Sequence, residues 1–175
     1  TVALGANTIL ECGTEAQKQE RLPAIAEGTQ TATLAFAEAN GQWDADGISA
    51  TATPDGDGFV LNGTKAWVVD GHSADLVLVV ARAPGTTGED GLSVFAVDGD
   101  AAGVSRKMLT TMDQTRRIAE IELSAVRVSA EACLGEPGAA WPGLRRTLDL
   151  AAIALAAEQV GGAQKCLDLS VAYAK

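Results

Sequence analysis

The stretch Gly56-Asp-Gly-Phe-Val-Leu-Asn-Gly-Thr-Lys-Ala-Trp-Val-Val-Asp-Gly-His-Ser-Ala-Asp75 decides the reading of the fold. Pro54-Asp-Gly-Asp-Gly58 is a strong turn signal, so Ile48–Thr53 and Phe59–Leu61 are expected to pair as a hairpin. Asn62-Gly63 predicts a second turn, followed by a strand over Thr64–Val69. Trp67 then stands at a strand end.

Strands continue on both sides. Upstream, threonines alternate over residues 29–37, which predicts a first strand. Residues 38–47 read as a polar loop. Downstream, Leu76–Ala81 is a continuous apolar run, as in a strand buried on both faces. Leu92–Val97, Ile118–Leu123 and Val126–Val128 complete about seven short strands, the pattern of a β-barrel or sandwich.

Helices flank this β region. Thr14-x-x-Gln17 is a capping-box pattern opening a helix from Glu15 to about Glu27, capped by Gly28. Pro23 is expected to kink or divide it. From Trp141 to Lys175, Leu144, Leu148, Ile153, Leu155, Val160, Leu167 and Val171 recur near helical spacing, with Gly161-Gly162 a local weak point. The order helix, β-domain, long helix predicts an α+β fold with segregated elements: an antiparallel barrel or sandwich flanked by helices.

Composition narrows the function. With 47% hydrophobic and 21% charged residues, the 175-residue chain is globular in character. A net charge of −10 argues against a nucleic-acid groove. Cys12, Cys133 and Cys166 form no metal-binding pair, and are expected to be free, buried thiols in a reducing cytoplasm. No apolar run is long enough to span a bilayer and no signal peptide is recognisable. The start at Thr1 and the end inside a helical pattern at Lys175 are expected of a segment of a longer protein.

Few residues name a chemistry. His72, the single histidine, reads as an exposed loop residue without a nucleophile motif. Asp44 and Asp46, or Asp55 and Asp57, lack calcium-loop spacing and suit turns, so no metal site is expected. Trp43 and Trp67 suit a core, or a flat cofactor needing a flat apolar partner beside a polar strand edge.

Five segments in order resemble the acyl-CoA dehydrogenase family. They are Gly13–Gly28, Leu34–Glu38, Gly56–Asp75, Val126–Gly135 and Leu148–Gln164. The resemblance implies that residues 1–28 end an N-terminal helical domain and residues 29–135 form the flavin- and acyl-CoA-binding middle domain. Residues 136–175 would start a C-terminal helical bundle. It implies α,β-dehydrogenation of an acyl-CoA thioester with FAD taking the hydride, and an electron-transfer flavoprotein as acceptor. A homo- or hetero-oligomer, dimer or tetramer, is implied, with neither nucleic acid nor membrane as partner.

Carried over residue by residue, Trp67 matches the family tryptophan packed on flavin. Glu38 and Asp44 match family acids. Leu34, Phe36, Ala37, Trp43 and Val69 fall at other flavin-facing positions, where Ala37 and Val69 replace hydroxyl residues and Trp43 replaces a serine. Trp43 and Arg116 are the implied substrate contacts, Arg116 within Met112-Asp-Gln-Thr-Arg-Arg117. The catalytic glutamate is absent from this segment: one family position is Ala151 here, and the other lies beyond Lys175 or in a partner. The missing hydroxyls raise an alternative, a flavin-poor structural subunit completing a partner's active site.

Overall fold

The computed structural model describes residues 1–113 and 115–175; Gln114, within the Met112–Arg117 motif, lies outside the described residues. A π-helical turn, Val2–Ala6, runs into α1 (Asn7–Cys12) and α2 (Glu15–Ala26). Among the described residues seven strands follow: β1 (Ala32–Ala35), β2 (Thr51–Asp55), β3 (Gly58–Val69), β4 (Leu76–Arg82), β5 (Leu92–Asp98), β6 (Val104–Met108) and β7 (Ile118–Ser129). The chain closes with α3, Trp141–Ala174.

The predicted α+β architecture is present, but the sheet is mixed rather than wholly antiparallel. Its order is β1-β4-β2-β3-β7-β6, with β5 on β4. β1 runs parallel to β4 (Ala32↔Leu76 to Ala35↔Val79), and β2 meets β4 in parallel at Thr51↔Arg82. β1 and β2 thus follow one another along β4, and the chain between them, residues 36–50, bulges away from the sheet.

β4 is buried along its whole length, which explains its unbroken apolar run. Leu76, Leu78 and Val80 face one core with Leu34 of β1, Phe36 just after it, and Ile9, Ile25, Trp141 and Leu144 of the helices. Val77, Val79 and Ala81 face a second with Leu61, Phe95, Ile121, Leu123 and Val126. Each large aliphatic side chain so buried contributes about 1.5–3 kcal/mol.

The expected hairpin forms with shifted bounds: β2 starts at Thr51 rather than Ile48, and Pro54 and Asp55 belong to the strand, so the chain turns at Gly56-Asp57 with Asp55↔Gly58 as the last pair. The expected turn at Asn62-Gly63 does not form. β3 passes through it as one strand, with an irregularity against β7 between Leu61 and Gly63. Gly63 has φ of 140°, and a Cβ there would lie 2.7 Å from Ala50 Cβ, so glycine serves the close approach of the chain just before β2. Asn62 Oδ1 accepts from Ala125 N across the irregularity.

The capping box of α2 is present: Gln17 N donates to Thr14 Oγ1 and Thr14 N to Gln17 Oε1. Pro23 does not divide the helix, because it removes one amide donor and a single turn remains beyond it. Gly161-Gly162 likewise leaves α3 continuous. β6 was not expected. Its Val-Ser-Arg-Lys-Met sequence is polar because it is a largely exposed edge strand. Among the described residues, no helix is long and apolar enough to cross a membrane.

Two further expectations are corrected. Cys133 is buried and Cys12 partly so, but Cys166 is exposed on α3. Burial pushes the Cys12 thiol up to about 12 and the Cys133 thiol to about 11. His72 is half-buried rather than exposed, with Nδ1 buried and unpartnered among the described residues. Its turn lies down on the core, where a Cβ at Gly71 would come 2.9 Å from Val68 Cγ1.

Candidate functional site

A cleft of about 710 Å³ lies where the N-terminal turn, the sheet edge and α3 meet. Its walls are Leu4 from the N-terminal turn, Thr33 from β1, Trp43 from the 36–50 bulge, Val69 and Asp70 from the end of β3, and Arg116. Leu148, Ala151, Ala152 and Leu155 of α3 close the other side, with Glu158 beyond them. The lining is mostly apolar, and its size falls within the roughly 300–1,000 Å³ of small-ligand and cofactor sites.

The 36–50 bulge presents Trp43, and its conformation is fixed from beneath. Glu38 closes its neck by accepting from Ser49 N and Ala50 N, both at 2.9 Å, and from Ser49 Oγ. Asp44 Oδ1 accepts from Gly47 N, which caps a 3₁₀ turn over Ala45–Gly47. Arg82 reaches in from β4 and donates to Ala45 O and Ile48 O. Its other guanidinium nitrogen donates to Asp90 O at 2.8 Å, tying the β4–β5 loop to the same place.

Glu38 also pairs with Lys65 of β3. Lys65 Nζ lies 2.7 Å from Glu38 Oε1 and 3.3 Å from Phe36 O, with both side chains almost wholly buried. Burial works against ionisation of Glu38, but the Lys65 ammonium and the Ser49 and Ala50 donors hold its carboxyl below the usual range. Burial pushes Lys65 down to about 8, against the opposing pull of Glu38, so the pair is ionised at neutral pH.

Beyond Lys65, β3 slips in register between Lys65 and Val68, and Trp67 adopts φ of 52°. Left-handed backbone on a bulky residue costs about 1–3 kcal/mol, the kind of strain that collects at functional sites. The slip turns the indole outward, leaving Trp67 43% exposed. Asp70, at φ of 54°, is a second such residue beside the cleft. Thr33 Oγ1 donates to Val69 O at 2.6 Å, and Asp70 N to Arg117 O at 2.8 Å, closing the strand end.

The structure therefore brings Trp43, Val69 and Arg116 together with Ala151 in one cleft. Trp67 stands outside its lining, two residues from Val69. The side chains of Leu34, Phe36 and Ala37 are buried under the site, so these residues can meet a ligand only through their backbone. Ala37 O already accepts from Ala66 N. Phe36 links Trp43 to Trp141, with ring centroids 5.8 and 6.5 Å apart.

Sequence reading passed over Lys65, Thr33, Asp70 and Glu158. Lys65 and Thr33 read as ordinary strand residues, and only three-dimensional pairing reveals them. Glu158 follows Ala151 and Leu155 at helical spacing, which is a legible signal. Among the described residues, no group of acids, histidines and cysteines could hold a metal ion.

Residues 33–126 match the family model for the acyl-CoA dehydrogenase middle domain. The short-chain specific acyl-CoA dehydrogenase of Megasphaera elsdenii is 34% identical over 178 residues, covering 100% of this chain and 46% of that protein. A glutaryl-CoA dehydrogenase structure from Mycobacterium smegmatis superposes with a TM-score of 0.87 at 29% identity, over 98% of this chain and 43% of that one. Another glutaryl-CoA dehydrogenase structure from that organism, in complex with FADH2, gives 0.74 at 28% identity, over 85% and 38%. The chain thus spans about half the length of the curated relatives it matches. With more than half of its residues matched by the family model, and the Trp67 strand and the Trp43 bulge both inside that match, the chain belongs to the acyl-CoA dehydrogenase family.

Proposed function

We propose that this chain is the cofactor- and thioester-facing part of an FAD-dependent acyl-CoA dehydrogenase. In this reading residues 29–135 are the middle domain, residues 1–28 end a helical domain before it, and residues 136–175 begin a helical bundle after it. The observation that carries the reading is a mostly apolar cleft beside a strained, outward-turned Trp67.

The residues fit a flavin. Trp67 offers an exposed flat face, and Trp43, Val69 and Leu155 supply apolar walls. Ala37 and Val69 offer no hydroxyl, so polar recognition falls to main-chain groups at the β1 and β3 ends. When bound, FAD supplies the hydride acceptor for oxidation of the acyl α,β bond. The chain's own part is to hold the ring against Trp67, keep water from the acyl group with the apolar walls, and fix the Trp43 bulge through Glu38 and Arg82. The base that takes the α-proton lies elsewhere in the whole protein or in a partner, because Ala151 has no ionisable group and Glu158 is engaged by Arg116. An electron-transfer flavoprotein is the acceptor in this reading, and the protein assembles as a dimer or tetramer.

The missing hydroxyls at Ala37 and Val69 and the missing acid at Ala151 favour a second reading, a flavin-poor subunit that completes a partner's site. One comparison separates the two. In the full-length protein, Trp67→Ala should lower the flavin-to-protein ratio. An unchanged ratio would contradict the first reading, and a wild-type protein that takes up no FAD would favour the second.

A further inference from the structure

The charged side chains lining the cleft are Asp70, Arg116 and Glu158, one cation against two anions. They sit in walls otherwise built mainly from alanine, leucine, valine and tryptophan. Arg116 and Glu158 are not independent. One guanidinium nitrogen of Arg116 contacts both carboxylate oxygens of Glu158, bridging the sheet side of the cleft to α3. Glu158 stands two helical turns beyond Ala151, on the face of α3 that lines the cleft. Among the described residues, no second cationic side chain lines it.

We infer that Glu158 is a charge filter: by holding the Arg116 guanidinium it makes the cleft selective for uncharged acyl groups over acyl groups that end in a carboxylate. The inference rests on the acyl-CoA reading above. A terminal carboxylate entering the cleft would give up its hydration, meet a net negative lining, and compete with Glu158 for Arg116. An alkyl end meets none of these costs, and each methylene buried against the apolar walls strengthens binding about fourfold. Both partners are half-exposed, so the pair contributes little to stability and its removal leaves the fold intact.

The test is calorimetric binding of pentanoyl-CoA and glutaryl-CoA to the full-length protein. The two thioesters share the CoA moiety and a five-carbon acyl chain, and differ in a terminal methyl against a carboxylate. Wild type should bind pentanoyl-CoA at least about tenfold more tightly. Glu158→Gln, and more strongly Glu158→Ala, should narrow that ratio at least about fivefold through tighter binding of glutaryl-CoA, with pentanoyl-CoA within about twofold of wild type. Adding Arg116→Gln to Glu158→Ala should abolish the gain. A wild type that binds both equally, or a ratio unmoved by the Glu158 variants, would overturn the inference and leave the acyl-CoA reading standing. Failure of both thioesters to bind would overturn that reading and the inference with it.

Discussion

Replacing Lys65 by methionine removes a cation and leaves its partner stranded. Glu38 would keep the Ser49 and Ala50 donors, but lose the ammonium 2.7 Å away. Phe36 O would lose its side-chain donor. Breaking a buried pair from one side costs about 3–5 kcal/mol, because the remaining charge stays out of water. That is a shift of roughly two to three and a half powers of ten in the folding equilibrium.

The pH dependence identifies the cause. In the wild type the Glu38 carboxyl lies below its ordinary value, so its contribution is present above about pH 4.5 and is lost as pH falls through the folded pKa. In Lys65→Met, burial is opposed only by the Ser49 and Ala50 donors and moves the carboxyl upward from its wild-type position, so the variant is penalised at neutral pH and relieved as Glu38 protonates. Denaturant unfolding should show the widest gap near pH 7 and a narrower one near pH 4.5. Glu38→Gln/Lys65→Met, which strands no charge, should recover part of the loss. A gap below about 1 kcal/mol at neutral pH, or one of equal size at both pH values, would refute the reasoning.

Other consequences follow from single residues. Trp67→Gly should relieve left-handed strain, holding or raising stability by up to about 1 kcal/mol in thermal unfolding, while lowering flavin retention. A loss of stability, with flavin content unchanged, would mean that the indole serves packing. Gln17→Ala removes the cap on Thr14 N and bonds to Glu131 O, Cys133 O and Gly135 N, and should cost about 2–4 kcal/mol in denaturant unfolding. Gly63→Ala drives a methyl into Ala50 at a positive φ and should cost at least about 2 kcal/mol by the same measurement.

Local physics made much of the fold legible. The Thr14–Gln17 box, the unbroken Leu76–Ala81 run, the Gly56-Asp57 turn and the helical spacing after Trp141 are signals carried within a few residues. The rest depends on distant partners. β6 hides its strand nature because an edge strand can carry Ser105, Arg106 and Lys107. Asn62-Gly63 looks like a turn because the reason for the glycine, the Ala50 methyl, comes from the segment just before β2. The Glu38–Lys65 pair joins residues 27 apart, and nothing local distinguishes Lys65 from a surface lysine. Of the residues read as site positions, Trp43, Val69 and Arg116 line the cleft, whereas the side chains of Leu34, Phe36 and Ala37 are buried. Leu34 lies in β1, whose residues are all buried, and Phe36 and Ala37 continue that buried run beyond the end of the strand.

We propose that this cleft serves flavin-linked oxidation of an acyl-CoA. The most direct test is the visible spectrum of the purified full-length protein, before and after addition of a panel of acyl-CoA thioesters. A flavin band that bleaches with at least one thioester is expected. A colourless protein that takes up no added FAD would contradict it.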